Sequence, residues 1–271
     1  MSQNDYPSPY RPTPVPPNAT GQTPPMSGTP GTGWTIQAPA GTARPADPAT
    51  LGVIPDPRLA AAFLTHAFTW MFAGLLVTAG VAYAVQSNDR LLEFAAGSFF
   101  FLFIAQLALV VGISAAISRI SASVALLLFF VYAASLGVTV GLIVSAYTTG
   151  SVVSAFLGAS AMFGAAAVYG AVTHRQLAGL GGYLFVGIIG LLVASLINLF
   201  FASSGLTWIV SIVGVVLFTA LTAYDVQRIK GGALAAATGS MEKAAVIGAL
   251  QLYLDFINLF LFLLRLTGGR N

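Results

Sequence analysis

Between residues 66 and 265 long apolar runs alternate with short polar breaks, a pattern that predicts seven membrane-spanning helices. A helix rising 1.5 Å per residue needs roughly 20 apolar residues to cross a hydrocarbon core of about 30 Å. Runs of that length occupy 66–86, 94–117, 122–147, 152–173, 178–201, 206–226 and 244–265. The breaks read SNDRLLE, SRIS, TTGS, HRQ, SSG and the longer RIKGGALAAATGSMEK. Their glycines suit turns, and Ser240, with Glu242 and Lys243 behind it, has the pattern of a cap for the last helix. Backbone that crosses lipid must satisfy its own N–H and C=O groups, so the expected fold class is all-α, a polytopic membrane bundle.

The chain ahead of these runs has a different character. All fourteen prolines fall within residues 1–57, among Gly, Ser and Thr and without apolar periodicity. Such a segment cannot bury enough surface to offset the entropy of ordering, which predicts a disordered cytoplasmic tail over 1–57 and a membrane domain over 58–271. The first thirty residues hold no apolar run, so no signal peptide is expected. Asn18-Ala19-Thr20 matches a glycosylation acceptor, relevant only to a tail outside the cytoplasm, and the PxxP spacings fit SH3-like partners no better than a plain Pro-rich tail. Protein partners of the tail are unknown from sequence.

Composition agrees with the span count. The 271 residues are 57% hydrophobic and 7% charged, where soluble domains carry about 25% charged residues. The net charge of +3 therefore reads as membrane orientation, not as affinity for nucleic acid. With the N-terminus inside, eight Lys and Arg residues lie in the cytoplasm and three (Arg90, Arg265, Arg270) outside, and the outer loops 148–151 and 202–205 carry none. A C-terminus outside follows, with a half-inserted last segment returning to the cytoplasm as the competing topology, because Arg265 and Arg270 favour the inside. The absence of Cys excludes disulfides and thiolate metal sites. No internal repeat is evident, which speaks against inverted-repeat transporters. Small residues at Gly137/Gly141, Ala108/Gly112/Ala116, Gly164 and Gly170 suit close helix packing.

Two aspartates stand out against this background. Asp255 lies in LQLYLDFINLFLFLLRL, four residues after Gln251 and three before Asn258, so the three polar side chains and Gly248 share one side of the helix. An ionisable group in hydrocarbon costs a few kcal/mol and must face protein or water, so the stripe marks an ion or proton path or a neutral acid that joins helices. Asp225 in TALTAYDVQRIK follows Thr219 and Thr222 on its own polar face, but at a helix end with Arg228 three residues on, where a plain interfacial acid reads equally well. Arg119, in the SRIS break on the same cytoplasmic side, is a topology determinant or a counter-ion for Asp225. His66 and His174 have no companions at ligand spacing, so no metal site or cofactor is expected. Asp89, Arg90 and Glu93 read as a solvated outer loop. Gly158-Ala159-Ser160 lacks the following Gly and a base of a serine nucleophile motif, and no P-loop or GxGxxG is present.

The stretches AYDVQRIK (223–230) and ALQLYLDFINLFLFLLRL (249–266), the latter most specifically, resemble the Bax inhibitor-1 (transmembrane Bax-inhibitor-motif) family over about residues 60–267, its bacterial branch above all. The resemblance implies seven helices with the last one central and surrounded by the other six. It implies a pH-sensitive calcium leak channel of the cell membrane. It also implies a proton-sharing aspartate pair on the sixth and seventh helices, locked or released by an arginine after the second. Asp225, Asp255 and Arg119 stand at the matching places. The Pro-rich tail departs from the family core and inherits no role.

The chemistry of such a pair is consistent with this. Two carboxylates within hydrogen-bond reach cannot both ionise freely and titrate as a unit. Acidic oxygens suit calcium, the transported ion, yet two carboxylates are too few for a tight site, so Asp225 and Asp255 are expected to hold calcium only weakly and in passing. The partners implied are calcium and the lipid bilayer, and no enzyme activity is expected. The alternative from another class is an intramembrane aspartyl protease: Tyr224-Asp225 matches its YD element, whereas no glycine precedes Asp255 as GxGD requires, and no Pro follows Pro57. A non-transporting interaction protein is a third reading. Depth is the open geometric question. Asp225 ends its predicted span, while Asp255 lies eleven residues into the last one, about 16 Å along it.

Overall fold

The computed structural model describes residues 57–269; residues 1–56 of the predicted tail, and Arg270 and Asn271, lie outside them. Nine α-helices follow within the described residues: α1 Pro57–Gln86, α2 Asp89–Gly97, α3 Phe99–Ala116, α4 Ala122–Val144, α5 Thr149–Val172, α6 Gly181–Phe201, α7 Ser204–Lys230, α8 Ala233–Thr238 and α9 Met241–Thr267, with a 3-10 turn Leu177–Leu180 before α6. Seven of them are long and apolar enough to cross a membrane. The fold is all-α and polytopic.

The polar breaks end helices through their side chains. Ser121, Thr148, Ser203 and Ser240 each accept a backbone N–H from the first turn of the helix that follows. Three sequence expectations are corrected. Pro57 is the first residue of α1 and not the last of the tail, a position where its missing N–H removes nothing. The second predicted span is shorter than 94–117, because Asn88 accepts from Arg90 and Leu91 N–H and starts the separate helix α2. Asp89, Arg90 and Glu93 therefore lie on a helix and not in a loop. The long break contains α8, bounded by Gly232 and Gly239, both with positive φ.

The last helix is the centre. Most of α9 is buried inside the bundle, about half of α7 is, and almost none of the span Leu177–Asn198. It packs against α1, α4, α5, α7 and α8, while α3 packs on α4 and α6 on α7. The ring around α9 is thus made by four spans, not six. Close approach is built from small residues where the sequence suggested it in part. A Cβ on Gly137 or Gly141 would meet the α1 backbone at 2.9 and 2.8 Å, and one on Gly170 would strike the Ala223 carbonyl, whereas Gly112 and Gly164 face open space.

Both ends of α9 are fixed by contacts at opposite ends of the bundle. Near its start, Lys243 Nζ donates to Ser118 O in the α3–α4 turn at 3.3 Å. Past its end, Thr148 N donates to Gly269 O at 3.1 Å and Gly269 N to Ser151 Oγ at 2.8 Å, at the α4–α5 turn. Since α4 separates these two turns, α9 traverses the whole bundle, which excludes the half-inserted alternative. Arg265 lies over the Phe262 ring, its guanidinium carbon 5.8 Å from the centroid, an apolar support for a cation near a helix end.

Candidate functional site

The antiparallel packing of α7 on α9 settles the depth question. Phe218 of α7 stacks on Phe262 of α9 with ring centroids 5.9 Å apart, and Phe262 also fills the space over Gly214. Asp225 lies seven residues after Phe218, and Asp255 seven residues before Phe262. Seven residues are about two turns, or roughly 10.5 Å, and return almost to the same face. The two carboxyl groups are therefore level across the α7–α9 interface. Both are buried, Asp225 7% and Asp255 4% exposed.

Two boundary shifts make this register possible. α7 continues to Lys230, four residues beyond its predicted end, so Asp225 is not at its tip. α9 starts at Met241, and its first turns extend past α7, where α8 covers them with the buried Leu234. Ile229 of α7 packs against Gly248 of α9 as the chains separate.

The polar neighbours differ in how they are satisfied. Thr222 Oγ1 donates to Phe218 O at 2.8 Å and Asn258 Nδ2 to Leu254 O at 2.8 Å, both within their own helices. Asp255 Oδ2 and Gln251 Oε1 are buried without a hydrogen-bond partner. Arg228 stands three residues after Asp225 on α7, near enough for its charge to reach the carboxyl, with no ion pair between them among the described residues. Arg119 stands elsewhere. It is exposed in the α3–α4 turn, next to Ser118, which contacts Lys243, and Lys243 is twelve residues, about 18 Å along α9, from Asp255. Among the described residues no ion pair joins Arg119 to either aspartate. Among the same residues no cluster of three or more His, Asp or Glu forms a metal centre, and His66 and His174 remain apart on α1 and the α5–α6 loop.

Sequence reasoning passed over a second buried polar group on α9. Thr78 of α1 donates to Ala133 O of α4 at 2.9 Å, and its Oγ1 lies 2.6 Å from the Tyr253 hydroxyl. Tyr253 sits edge-on to Phe129 and Tyr132, centroids 5.5 and 6.0 Å away. In sequence Tyr253 reads as one more aromatic in LYLDF, and Thr78 as a lone hydroxyl, so only their meeting reveals the role. Gln227 is similar: its amide accepts from Leu177 N at 2.7 Å and donates to Arg175 O at 2.8 Å, and Lys230 Nζ donates to Ala171 O at 2.5 Å, together securing the α5–α6 loop to the end of α7.

A central spanning helix with one buried carboxyl, level with a second on its neighbour, defines a polytopic membrane protein with an intramembrane acidic pair. Residues 60–271 match the family described as Inhibitor of apoptosis-promoting Bax1. The chain is 42% identical over 214 residues to the inner membrane protein YbhL of Escherichia coli K12, across 77% of this chain and 92% of that protein. It is 43% identical over 210 residues to an uncharacterized protein of Deinococcus radiodurans, across 77% and 91% of the two. With an uncharacterized protein of Borreliella burgdorferi it shares 44% identity over 213 residues, across 77% and 92%. The chain belongs to the Bax inhibitor-1 family.

Proposed function

We propose that this protein is a non-enzymatic cation leak channel of the bacterial inner membrane, with calcium as its cargo and the Asp225–Asp255 pair as its pH-responsive gate. The observation that carries the reading is the register at the α7–α9 interface, which sets two buried carboxyl groups opposite each other. Like charges facing each other in a low-dielectric interior repel strongly, and one proton held between them removes most of that repulsion. In the half-protonated state the acids join α7 to α9. Loss of the proton leaves two negative charges against the single cation Arg228, so the helices are pushed apart and conduction rises with pH.

The chemistry of the cargo fits the same residues. Calcium takes 6–8 oxygen ligands in a tight site, and a carboxyl pair supplies fewer, which favours passage over retention. Arg228, and not Arg119, is the counter-ion in this reading. The charge bias of the loops sets the N-terminus in the cytoplasm, and the relative named an inner membrane protein supports that compartment. The test is calcium flux into liposomes containing the full chain, measured from acidic to alkaline pH. Asp255→Asn should abolish the pH dependence. A variant with wild-type flux and wild-type pH response would sink the mechanism.

A further inference from the structure

Among the described residues, two buried side-chain atoms have no hydrogen-bond partner, Gln251 Oε1 and Asp255 Oδ2. Both belong to α9, and four residues put them on consecutive turns of one face, about 6 Å apart along the axis. Each is an oxygen with lone pairs and, for the amide, no proton to give. Once Asp255 is ionised, as in the conducting state of the proposed gate, two such atoms cannot satisfy each other, and burying them unpaired costs free energy that native structures avoid. The third member of the stripe behaves differently, because Asn258 donates its amide to Leu254 O and is closed upon its own helix. Two of the cations at this end are engaged on other groups: Lys230 donates to Ala171 O and Lys243 to Ser118 O.

What the two oxygens lack in common is an electropositive partner. A neutral carbonyl takes up no proton at physiological pH, so when Asp255 has lost its own proton the pairing of the two oxygens points to a cation. We propose that Gln251 Oε1 is a cation ligand, completing with Asp255 and the level Asp225 a three-residue oxygen site for the passing divalent ion. This rests on the leak-channel reading and adds to it the order of contacts. Gln251 is one turn nearer the start of α9 than Asp255, so an ion arriving from that end meets the carbonyl before the carboxyl pair. A carbonyl ligand strengthens the site without adding charge, which lets the ion leave.

The test uses the full chain in liposomes and in detergent, with Gln251→Met, which keeps length and volume but removes the oxygen, and Gln251→Glu, which restores one. Calcium flux should fall about ten-fold in Gln251→Met, equivalent to about 1.4 kcal/mol of lost coordination. Its pH dependence should persist, because both aspartates remain, and Gln251→Glu should recover the flux. Terbium luminescence in detergent, read alongside an unchanged elution volume, should weaken in Gln251→Met and return in Gln251→Glu. Wild-type flux in Gln251→Met overturns the inference and leaves the gate intact. If the wild type carries no calcium at any pH, the channel reading fails, and terbium binding alone decides the site: equal signals from wild type and Gln251→Met overturn it.

Discussion

The hydroxyl chain on the far side of α9 makes an asymmetric prediction. Thr78 has one hydroxyl proton, and Ala133 O receives it at 2.9 Å, so the Tyr253 hydroxyl 2.6 Å away is the donor to Thr78. The order is Tyr253 to Thr78 to Ala133, linking α9, α1 and α4, with Tyr253 fully buried and Thr78 only 2% exposed. Thr78→Val preserves shape but removes both the acceptor for Tyr253 and the donor to Ala133. It leaves a phenolic O–H buried and unpaired, at a cost of about 1–3 kcal/mol. Tyr253→Phe deletes the terminal donor and leaves the Thr78–Ala133 bond in place, so nothing is stranded. Its cost is that of one interhelical bond in a membrane protein, on average about 0.6 kcal/mol. Thr78→Val should therefore destabilise at least about twice as much as Tyr253→Phe, and Thr78→Ser, which keeps both bonds, should stay near the wild type. Purified protein in mixed micelles, unfolded with increasing SDS and followed by far-ultraviolet circular dichroism, gives the three values. Equal losses in Thr78→Val and Tyr253→Phe, or a larger loss in Tyr253→Phe, would refute the assigned direction of the chain.

Two further comparisons separate neighbouring claims. Arg228→Gln removes the cation that acts on Asp225, so the doubly ionised pair is harder to reach and the flux–pH curve should move to higher pH. Arg119→Gln, remote from both acids, should leave the curve in place, and a shift in that variant alone would reverse the assignment. Gly170→Ala drives a methyl into the Ala223 carbonyl and within 2.9 Å of two more α7 backbone atoms. Overpacking of this kind costs about 1–3 kcal/mol. Gly112→Ala, with nothing within 4 Å, should be neutral by the same SDS unfolding measurement.

The spans were legible because hydrocarbon thickness imposes a length that a polar break cannot hide. What escaped was structure that lies along the polar breaks. Residues Asp89–Gly97 carry enough polar side chains to look like a loop, yet the Asn88 cap starts a helix there and Ala95 is buried against the bundle. The stripe Gln251, Asp255 and Asn258 was visible because polar groups are conspicuous inside an apolar helix. The level of Asp225 was not visible. It depends on where α7 stops, where α9 starts and on the length that α8 occupies between them, and no local pattern fixes any of these. Arg119 illustrates the complementary difficulty: sharing a membrane side with Asp225 in the sequence says nothing about lateral or axial distance in the bundle.

The two faces of α9 now have distinct mechanical roles. Tyr253 and Asp255 are two residues apart, about 200° around the helix, and so point to opposite sides. The Tyr253 side is held by the hydroxyl chain and by Phe129 and Tyr132, which binds α9 to α1 and α4. The Asp255 side meets α7 between two apolar contacts, Phe218 on Phe262 and Ile229 on Gly248, each about two turns from Asp255 along α9. Repulsion at the acids therefore acts on a stretch of roughly four turns held at both ends. Since α9 is fixed behind by α1 and α4, the yielding partner in the proposed gate is α7. It carries with it α6, the least buried of the spans, and packs also on α5, where Gly170 meets the Ala223 carbonyl. In the proposed gate, a change of charge at Asp225 and Asp255 is thus delivered to α7 and to α5 and α6 packed on it, while α1, α4 and α9 hold their arrangement.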